Sequence, residues 1–337
     1  MKLNNQKKIF IVWGREVMLA KYLADALGAE LRQIYYKKIG AYNLPTMVRY
    51  IFQATETLLI LFEKRPAFVI VQNPPVFAPL TAFLYCKLSG AKLVIDSHTA
   101  AFLDDKWKRF YNLFKFAARR AILNGCHNYK NLEILKSWHI KPVISMQFFN
   151  PAFDLVKLNQ PMRDEKIEQA VKSSDLPIMM VNRFANDDDW ETVAKTAELM
   201  PEAKFFITGD SREAKKEIKN LPANVFLTGY LAQDEFLKLM WRSSVVLAFS
   251  LRPDTVLWSI REIMALGKPF VTTDGEVLKH YFNEVGLFVK SDPRELKNKI
   301  IEANAKAAEI KRKIKDFLDE DNKRWDNEIK QYKNFIN

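Results

Sequence analysis

A carboxylate, two hydroxyls and an imidazole stand side by side in the segment Asp96-Ser97-His98-Thr99. It follows the apolar run Leu93-Val94-Ile95, which is typical of a buried strand. Alternate side chains of an extended chain point to the same side, so Asp96 lies near His98. An imidazole oriented by a carboxylate is a general base at neutral pH, so we predict His98 and Asp96 as catalytic residues, with Thr99 a further ligand contact. The competing interpretation is a loop histidine satisfied by backbone groups.

The other histidines give no sign of a metal site. His127, His139 and His280 are isolated in the sequence, and we interpret each of them as structural. The sequence has neither a histidine pair at ligand spacing nor a cluster of cysteines and histidines. We therefore expect no zinc ligands. The sequence also lacks an aspartate-rich metal motif, so we expect no obligatory divalent ion, and we expect no cofactor.

Two further carboxylates, Asp254 and Glu262, stand eight residues apart, one in a predicted loop and one on the helix after it. In this arrangement the two carboxylates would bind the hydroxyl groups of a polyol from two sides. Ser259 falls near the N-terminus of that helix, where unpaired backbone N–H groups bind anions such as a diphosphate. Acidic residues are also common on solvated helix faces, so the pair gains its meaning only from this context.

Candidate ligand contacts in the first half also follow predicted strands. Gly14 lets a ligand approach the backbone next to a helix N-terminus, and Arg15 stands beside it. A lone glycine lacks the three-glycine fingerprint of dinucleotide enzymes, which argues against a dehydrogenase. Gln72 and Asn73 offer amide groups to a hydroxylated ligand. For both loops a plain turn is an equally good interpretation.

In the second half, two successive predicted strands end at a glycine. Gly209 follows the strand at 205–208, and Gly229-Tyr230 follows the strand that begins at Val225. In open parallel sheets, ligands bind outside the carboxyl ends of the strands. The pattern therefore predicts a backbone-lined nucleotide pocket with Gly209 and Tyr230 among its contacts.

Short apolar runs that alternate with helical stretches predict the elements that position these residues. The predicted strands are residues 9–12, 68–71, 93–95, 178–181, 205–208, 225–227, 245–248 and 269–271. They indicate an α/β fold of two Rossmann-like, doubly wound domains. The first domain covers residues 1–155 and the second residues 165–318, with a cleft between them. A tail helix at 319–337 carries one apolar stripe that must dock on another surface, formed by Trp325, Ile329, Tyr332 and Ile336.

Composition and charge limit the class of protein. A chain of 337 residues with 48 % hydrophobic residues is neither one small domain nor disordered. Two cysteines and the lack of a long apolar run favour a cytoplasmic protein without a membrane span. The formal net charge is +12, and residues 1–160 hold 23 Lys+Arg against 10 Asp+Glu, whereas the rest hold 29 against 30. The first half is therefore expected to face something anionic.

The segment Glu262-Ile263-Met264-Ala265-Leu266-Gly267-Lys268-Pro269 resembles a motif of GT-B glycosyltransferases. In that large family, two carboxylates separated by seven residues precede Met-Ala-x-Gly-x-Pro. The resemblance implies the GT-B fold and a nucleotide-sugar donor such as a UDP- or GDP-sugar. It also implies that Asp254 contacts the donor sugar, Glu262 the ribose and Ser259 the diphosphate, with Gly209 and Tyr230 beside the nucleotide.

The resemblance includes one departure. Arg183 fits the first of two family cations that clamp the diphosphate, but Asp188 stands where the second, a lysine, is usual. Phosphate neutralisation then depends on Arg183 and backbone N–H groups, with Arg15 and Lys268 as further candidates. The tail helix is similar to the family's last helix, which crosses back to brace the first domain.

The first half resembles the mannosyltransferases that extend a diphosphate-linked chitobiose lipid, in Val71-Gln72-Asn73-Pro74-Pro75 and in the segment 93–98. The resemblances together imply a hexosyltransferase of glycan or polysaccharide assembly. It would move a sugar from a nucleotide diphosphate to a hydroxyl of a saccharide acceptor. The first domain would bind this acceptor, and the expected contacts to the acceptor or the cleft are Arg15, Gln72, Asn73 and Thr99. If the reaction inverts the anomeric centre, His98 or Asp96 takes the acceptor proton; if it retains it, the leaving phosphate can do so.

A stretch at 105–120 offers an explanation for the positive charge of the first half. Basic and aromatic residues alternate there at helical spacing, a pattern suited to a membrane interface. The predicted membrane contacts are Trp107, Lys108, Arg109, Lys115, Arg119 and Arg120. We therefore expect a lipid-linked acceptor and peripheral association with the anionic cytoplasmic leaflet. The competing interpretation is a core helix whose lysines only reach solvent.

Two other classes of protein compete with a transferase. A sugar-nucleotide epimerase or a phosphorylase has the same two-domain fold. A nucleic-acid-binding protein would explain a pI near 9.4, but no known binding module is present and the second half is nearly neutral. We therefore expect no nucleic-acid partner.

Overall fold

The structure is a computed structural model that describes residues 4–14, 18–36, 38–39, 42–146, 150–185, 187–214, 218, 220–252 and 254–336. Its contacts divide the chain into two compact units. The first unit is Met1–Phe149 with Lys323–Asn337, and the second is Asn150–Asn322. The division at Phe149 and Asn150 lies a few residues before the end expected for the first domain at 155.

The first unit is built on a parallel sheet, with six strands in the described residues. Their order across the sheet is β2-β1-β5-β6-β7-β8. Ile9 to Val12 and Val69 to Val71 are fully buried, as expected for strands covered on both faces. The strands are β1 (Asn4–Val12), β2 (Glu30–Gln33), β5 (Pro66–Asn73), β6 (Lys92–Ser97), β7 (Leu123–Cys126) and β8 (Val143–Ser145), with a separate antiparallel pair β3 (Lys38–Ile39) and β4 (Tyr42–Asn43).

Helices connect these strands in the manner of βαβ units. They are α1 (Met18–Leu27), α2 (Thr46–Lys64), α3 (Phe77–Ser89), α4 (Ala100–Leu103), α5 (Asp105–Lys108), α6 (Tyr111–Ala118) and α7 (Tyr129–Ser137). Gly28 and Gly90 follow α1 and α3 with φ of 64° and 81°. This left-handed backbone explains why a glycine ends each helix, as the sequence predicts.

The second unit repeats the design. Its parallel sheet has the strand order β11-β10-β9-β12-β13-β14 in the described residues. The strands are β9 (Pro177–Val181), β10 (Lys204–Thr208), β11 (Val225–Gly229), β12 (Val245–Ala248), β13 (Phe270–Thr273) and β14 (Leu287–Val289). The helices are α8 (Leu155–Leu158), α9 (Glu165–Lys172), α10 (Trp190–Glu198), α11 (Gln233–Arg242), α12 (Trp258–Ala265), α13 (Glu276–Phe282) and α14 (Pro293–Ala305), and a 3-10 turn covers Ser211–Glu213. The last helix, α15 (Ala307–Ile336), begins in the second unit, and its part from Lys323 onward belongs to the first.

The two faces of the first sheet carry separate cores. Ile11, Val71 and Leu93 face one core, to which α2, α3 and α6 contribute. Phe10, Val12 and Val94 belong to the other, with α1 and the last part of α15. The predicted apolar stripe of α15 packs into this second core through Trp325, Ile329, Tyr332 and Ile336.

The predicted α/β fold with two doubly wound sheets is confirmed. Six of the described strands were not predicted from the sequence: β2, β3, β4, β7, β8 and β14. In β7 the residues are Leu-Asn-Gly-Cys, and asparagine and glycine disfavour strands when considered alone. Pairing with β6 and β8 on either side makes this segment a strand.

The helical pattern predicted across 105–120 is interrupted. The chain forms α5 and α6 with Arg109 and Phe110 between them. None of the described helices combines the length and the apolar composition that crossing a bilayer requires.

Candidate functional site

The predicted catalytic pair lies at the carboxyl end of β6. Asp96 is 1 % exposed, and its Oδ2 lies 3.2 Å from Nε2 of His98. The backbone N–H of His98 donates to the carbonyl of Asn73 at the end of β5, which fixes the loop. The His98 side chain keeps 24 % of its surface exposed, so a ligand can reach the ring.

A second histidine contacts the same carboxylate. His127 follows β7 directly, is 3 % exposed, and its Nε2 lies 2.9 Å from Asp96 Oδ1. The two imidazole rings stand edge to face with their centroids 4.5 Å apart. His127 is isolated in the sequence but not in the fold, because each of the two Asp96 oxygens faces one of the two rings.

The strand register makes room for this cluster. Asp96 pairs with Gly125 across β6 and β7. A Cβ atom at Gly125 would meet Asp96 Oδ1 at 3.2 Å and the ring of Tyr332 at 3.4 Å. Glycine therefore leaves the space that the carboxylate and the tyrosine fill. Burial and the nearby Asp96 charge raise the pKa of Tyr332 well above its usual range, so its hydroxyl stays protonated.

Burial alone would raise the pKa of Asp96, but the charge and hydrogen bonds of the two histidines hold it below its usual range. Burial also opposes a charge on His127, yet Asp96, the Met146 carbonyl and Glu328 together raise its pKa. Burial and the charge of His127 lower the pKa of His98, against the pull of Asp96. These shifts favour the ionised form of Asp96, the protonated form of His127 and the neutral form of His98.

These protonation states define the chemistry of His98. An ionised carboxylate only accepts hydrogen bonds, so the Nε2–H of His98 donates to Asp96. The lone pair of a neutral ring is then on Nδ1, which is the atom that can take a proton from a ligand hydroxyl.

The three side chains of this cluster are also possible metal ligands. One ligand atom from each of Asp96, His98 and His127 lies within 4.8 Å of the others. Metal binding there would require the histidine nitrogens that face Asp96 to be free of protons.

Two predicted acceptor contacts are closed to a ligand. Thr99 is buried, and its hydroxyl accepts hydrogen bonds from the amides of Asn128, which precedes α7, and Asn131 on α7, at 3.2 and 3.1 Å. Asn73 is 1 % exposed, and its amide lies 3.5 Å from the Ser97 hydroxyl. The prediction that these two side chains contact the ligand was wrong, because they brace the strand ends instead.

The remaining first-half candidates are less constrained. Gln72 is half-buried near the end of β5. Gly14 is half-buried after β1, whereas Arg15 lies outside the described residues.

Gly209 and Gly229 end neighbouring strands of the second sheet, as predicted. The N–H of Gly209 donates to the carbonyl of Gly229 at 3.0 Å. A Cβ atom at Gly209 would stand 2.6 Å from the carbonyl oxygen of Asn182, and its φ is 99°. Glycine is therefore required here by the close approach of two loops. Tyr230, next in the chain to Gly229, is 77 % exposed at the same edge.

The loop after β9 explains the departure at Asp188. Its carboxylate accepts hydrogen bonds from the backbone N–H groups of Arg183 and Ala185, at 2.8 and 3.0 Å. The acidic side chain thus holds the loop together from within. Arg183 itself is exposed and forms no ion pair with a described residue.

The acid pair frames the start of α12. Asp254 is partly exposed in the preceding loop, with φ of 55°, and Ser259 is the second residue of the helix. Glu262 lies one turn further and accepts a hydrogen bond from the Gln233 amide at 2.9 Å. Burial raises the pKa of Glu262 to about 7, against hydrogen bonds from Gln233 and Trp258.

Lys268 does not join this group. It follows α12 and precedes β13, so it lies at the amino edge of the sheet, opposite the edge where α12 begins. Its ammonium stands 4.9 Å from the centre of the Trp241 ring, and burial, with Lys311 nearby, lowers its pKa to about 8. As a phosphate ligand, Lys268 is therefore excluded by its position.

A buried ion pair anchors α12. Arg261, beside Glu262, contacts Asp321 of α15, and both are at most 2 % exposed. Asn150 donates to Asp321 Oδ2 at 2.8 Å and accepts from Arg261 at 3.2 Å. The sequence analysis did not single out these three residues, which are far apart in the chain and meet only in the fold.

The predicted membrane stretch divides into two environments. Trp107 is 7 % exposed and its ring contacts those of Tyr50, Phe77 and Phe110, so its prediction as a membrane residue was wrong. The ammonium of Lys115 stands 4.7 Å from the centre of the Trp138 ring. Lys108, Arg109, Arg119 and Arg120 are exposed.

Known structures share this architecture. A sucrose-phosphate synthase from Thermosynechococcus elongatus is similar, with a TM-score of 0.71, 14 % identity and 97 % of each chain covered. HepE from Anabaena in complex with UDP-glucose is similar as well, with a TM-score of 0.68, 14 % identity and 98 % of each chain covered. The N-terminal domain of trehalose-6-phosphate phosphatase from Candida albicans gives a TM-score of 0.69 at 10 % identity, over 100 % of this chain and 97 % of that one.

The protein therefore has the GT-B fold, and the resemblance to GT-B glycosyltransferases is confirmed. Residues 177–305, which contain the acid pair, match the family model of glycosyl transferases group 1. No curated protein matches the chain in sequence.

Proposed function

We propose that the protein is a hexosyltransferase that moves a sugar from a nucleotide diphosphate to a hydroxyl of a saccharide acceptor. The observation that carries the proposal is the acid pair at the start of α12, inside the segment that matches the group 1 family. Solved complexes of HepE with UDP and with UDP-glucose support a nucleotide-sugar donor.

The donor is expected to bind at the carboxyl edge of the second sheet. Asp254 would hold the donor sugar and Glu262 the ribose, while Ser259 and the first N–H groups of α12 would bind the diphosphate. Arg183 offers an exposed cation at the same edge. With Asp188 bound to the backbone and Lys268 at the other edge, fewer side chains are available to neutralise the phosphates.

His98 is the proposed base or orienting group. In an inverting reaction, Nδ1 of His98 would take the proton of the acceptor hydroxyl as the new bond forms. In a retaining reaction, the leaving phosphate would take that proton, and His98 would only orient the sugar. The anomeric configuration of the first product, followed by proton NMR, distinguishes the two courses.

The transfer is proposed to need no divalent ion or cofactor. Activity should therefore persist after incubation with EDTA. Complete loss in the chelator, with recovery on adding a metal, would contradict metal independence and would direct attention to the Asp96, His98 and His127 cluster.

The acceptor is proposed to be lipid-linked, on the anionic cytoplasmic leaflet. In support, Arg119 and Arg120 are exposed near the end of α6, and Leu88 and Phe116 are exposed on the neighbouring helices α3 and α6. Sedimentation should show binding to anionic vesicles that weakens for Arg119→Gln with Arg120→Gln. The control pair, Lys92→Gln with Lys141→Gln, removes the same charge from other exposed sites. Equal binding to neutral and anionic vesicles would contradict the electrostatic account.

A coupled assay tests the central proposal. Nucleoside diphosphate should be released from a sugar nucleotide in equal amounts with a new glycoside, and Glu262→Gln should weaken donor binding. The matched control is Glu202→Gln, a substitution at an exposed position of the same unit. Conversion of the donor sugar without a new glycoside would instead indicate an epimerase.

A further inference from the structure

An aromatic pocket of about 100 Å³ opens at the carboxyl edge of the first sheet. Trp13 comes directly after β1, Tyr35 and Tyr36 come shortly after β2, and Pro75 comes shortly after β5. The neighbouring helix α2 closes the pocket. Since this is the edge where open parallel sheets bind ligands, its position alone favours a binding site.

The pocket walls are held in place before any ligand arrives. The indole N–H of Trp13 donates to the Thr57 hydroxyl at 2.9 Å, and its ring stacks on Tyr50 with centroids 5.9 Å apart. The amide of Gln53 donates to the carbonyl of Ile34 at 2.7 Å. These contacts fix the aromatic surfaces, so a ligand pays little ordering cost on binding.

The pocket also holds a cation that has no counter-ion among the described residues. Arg49 lines it from α2, and its guanidinium donates to the Thr46 hydroxyl at 3.2 Å. Arg49 forms no ion pair with any described residue, and its buried Nε has no hydrogen-bond partner among them. Glu56, on the same helix as Arg49, is engaged by the Tyr36 hydroxyl. A guanidinium in this state binds phosphate oxygens through two parallel hydrogen bonds.

We propose that this pocket binds a phosphorylated sugar, with the phosphate on Arg49 and the sugar ring against the aromatic side chains. A phosphate-sized group fits the pocket volume, and Tyr35, which is 42 % exposed, offers a ring face at the entrance. The inference rests on the proposed function in one respect: the phosphosugar is the reducing end of the acceptor. It adds a ligand class and three residues, Trp13, Tyr35 and Arg49, that no motif indicates.

The test is calorimetric titration of the full chain with glucose 1-phosphate. Binding with one site per chain is expected, with glucose and glucuronate binding at least tenfold more weakly. Arg49→Gln should weaken the binding of glucose 1-phosphate by about tenfold or more, while Arg49→Lys keeps part of it. The matched control, Lys92→Gln, removes an exposed cation at the opposite edge of the same sheet and should change nothing. Binding that is equal in Arg49→Gln and in the unmodified chain would overturn the proposal.

A second variant guards against a folding defect at Arg49. Tyr35 is exposed, so Tyr35→Ala should fold as the parent does, and it should weaken binding several-fold, while Tyr35→Phe restores it. Unchanged binding in Tyr35→Ala and Arg49→Gln together would exclude the pocket. Decyl glucosyl phosphate separates the sources of the ligand: tighter binding than glucose 1-phosphate indicates a lipid-linked ligand, and equal binding indicates a free sugar phosphate.

Titration with UDP separates this inference from the proposed function. UDP should bind in the presence of saturating glucose 1-phosphate, and Arg49→Gln should leave its affinity unchanged. Competition between the two ligands, with Arg49→Gln without effect, would place the sugar phosphate in the donor site and refute the pocket. Failure of UDP to bind, with glucose 1-phosphate still sensitive to Arg49→Gln, would refute the proposed function and leave the pocket standing.

Discussion

Replacing Glu262 by glutamine is expected to stabilise the protein at alkaline pH. Burial raises the pKa of this carboxyl to about 7 in the folded chain, against an ordinary value of 4.5. Between pH 4.5 and about 7, the folded state therefore keeps a proton on Glu262 that the unfolded state has already released. The stability contributed by protonated Glu262 is fully present below pH 4.5 and is lost as the pH rises through about 7.

The magnitude follows from the difference between the two pKa values. Each pKa unit corresponds to about 1.4 kcal/mol, so the free energy of unfolding loses about 3 kcal/mol by pH 8 and less than about 1 kcal/mol at pH 5. Glutamine has the shape of glutamic acid, carries no charge, and its carbonyl oxygen can still accept the hydrogen bond from Gln233. Glu262→Gln should therefore exceed the parent chain in stability by about 3 kcal/mol at pH 8 and by little at pH 5.

Urea unfolding at the two pH values measures this difference, with Glu202→Gln as the exposed control that should match the parent at both. If Glu262→Gln were no more stable than the parent at pH 8, or equally more stable at both pH values, the reasoning from burial would be refuted. The same variant should bind UDP more weakly. A gain of stability with a loss of binding would show that the buried acid is kept for its ligand.

Three further outcomes are expected. His127→Gln keeps a hydrogen-bond donor to Asp96 but removes a positive charge, so the pKa of His98 should rise relative to the parent, and NMR titration of the His98 ring would show it; an unchanged pKa would contradict the cluster. Asp321→Ala leaves Arg261 charged and buried and should cost about 3 to 5 kcal/mol in urea unfolding, whereas a loss below about 1 kcal/mol would show that the pair is dispensable. Gly209→Ala should destabilise the chain by more than about 1 kcal/mol, because the new methyl group meets the Asn182 carbonyl and the backbone has a positive φ; a thermal melt equal to that of the parent would refute this.

The sequence predicted the fold well because its signals were local and repeated. Apolar runs such as Ile9 to Val12 are buried on both faces of the sheet. An unbroken run of apolar residues can be recognised from the sequence alone. The missed strand β7 shows the limit, since Asn124 and Gly125 become strand residues only by pairing with β6. Missing β7 also hid the position of His127 directly after a strand end.

The candidate site was predicted in part for the same reason. Asp96 and His98 are two residues apart, so their contact follows from strand geometry. Trp107 illustrates the opposite case: its neighbours are basic, and only the ring contacts with Tyr50 and Phe77 reveal that it is buried. Arg49 and Tyr35 belong to no motif, because their pocket is assembled from α2 and from the segments that follow three different strands.

The packing of α15 against the first sheet has a consequence for the synthesis of the chain. Tyr332 and Ile329 share one core with Phe10 and Val12, roughly 300 residues earlier in the sequence. During translation, one apolar face of the first unit's sheet therefore stays partly uncovered until the whole second unit and the end of α15 have been made. A nascent chain halted after Ala305 would contain both acids of the pair, Asp254 and Glu262. The cluster around Asp96 would still be incomplete, because Tyr332, which packs beside Asp96, would not yet have been made. We expect such nascent chains to depend on chaperones for most of their synthesis time.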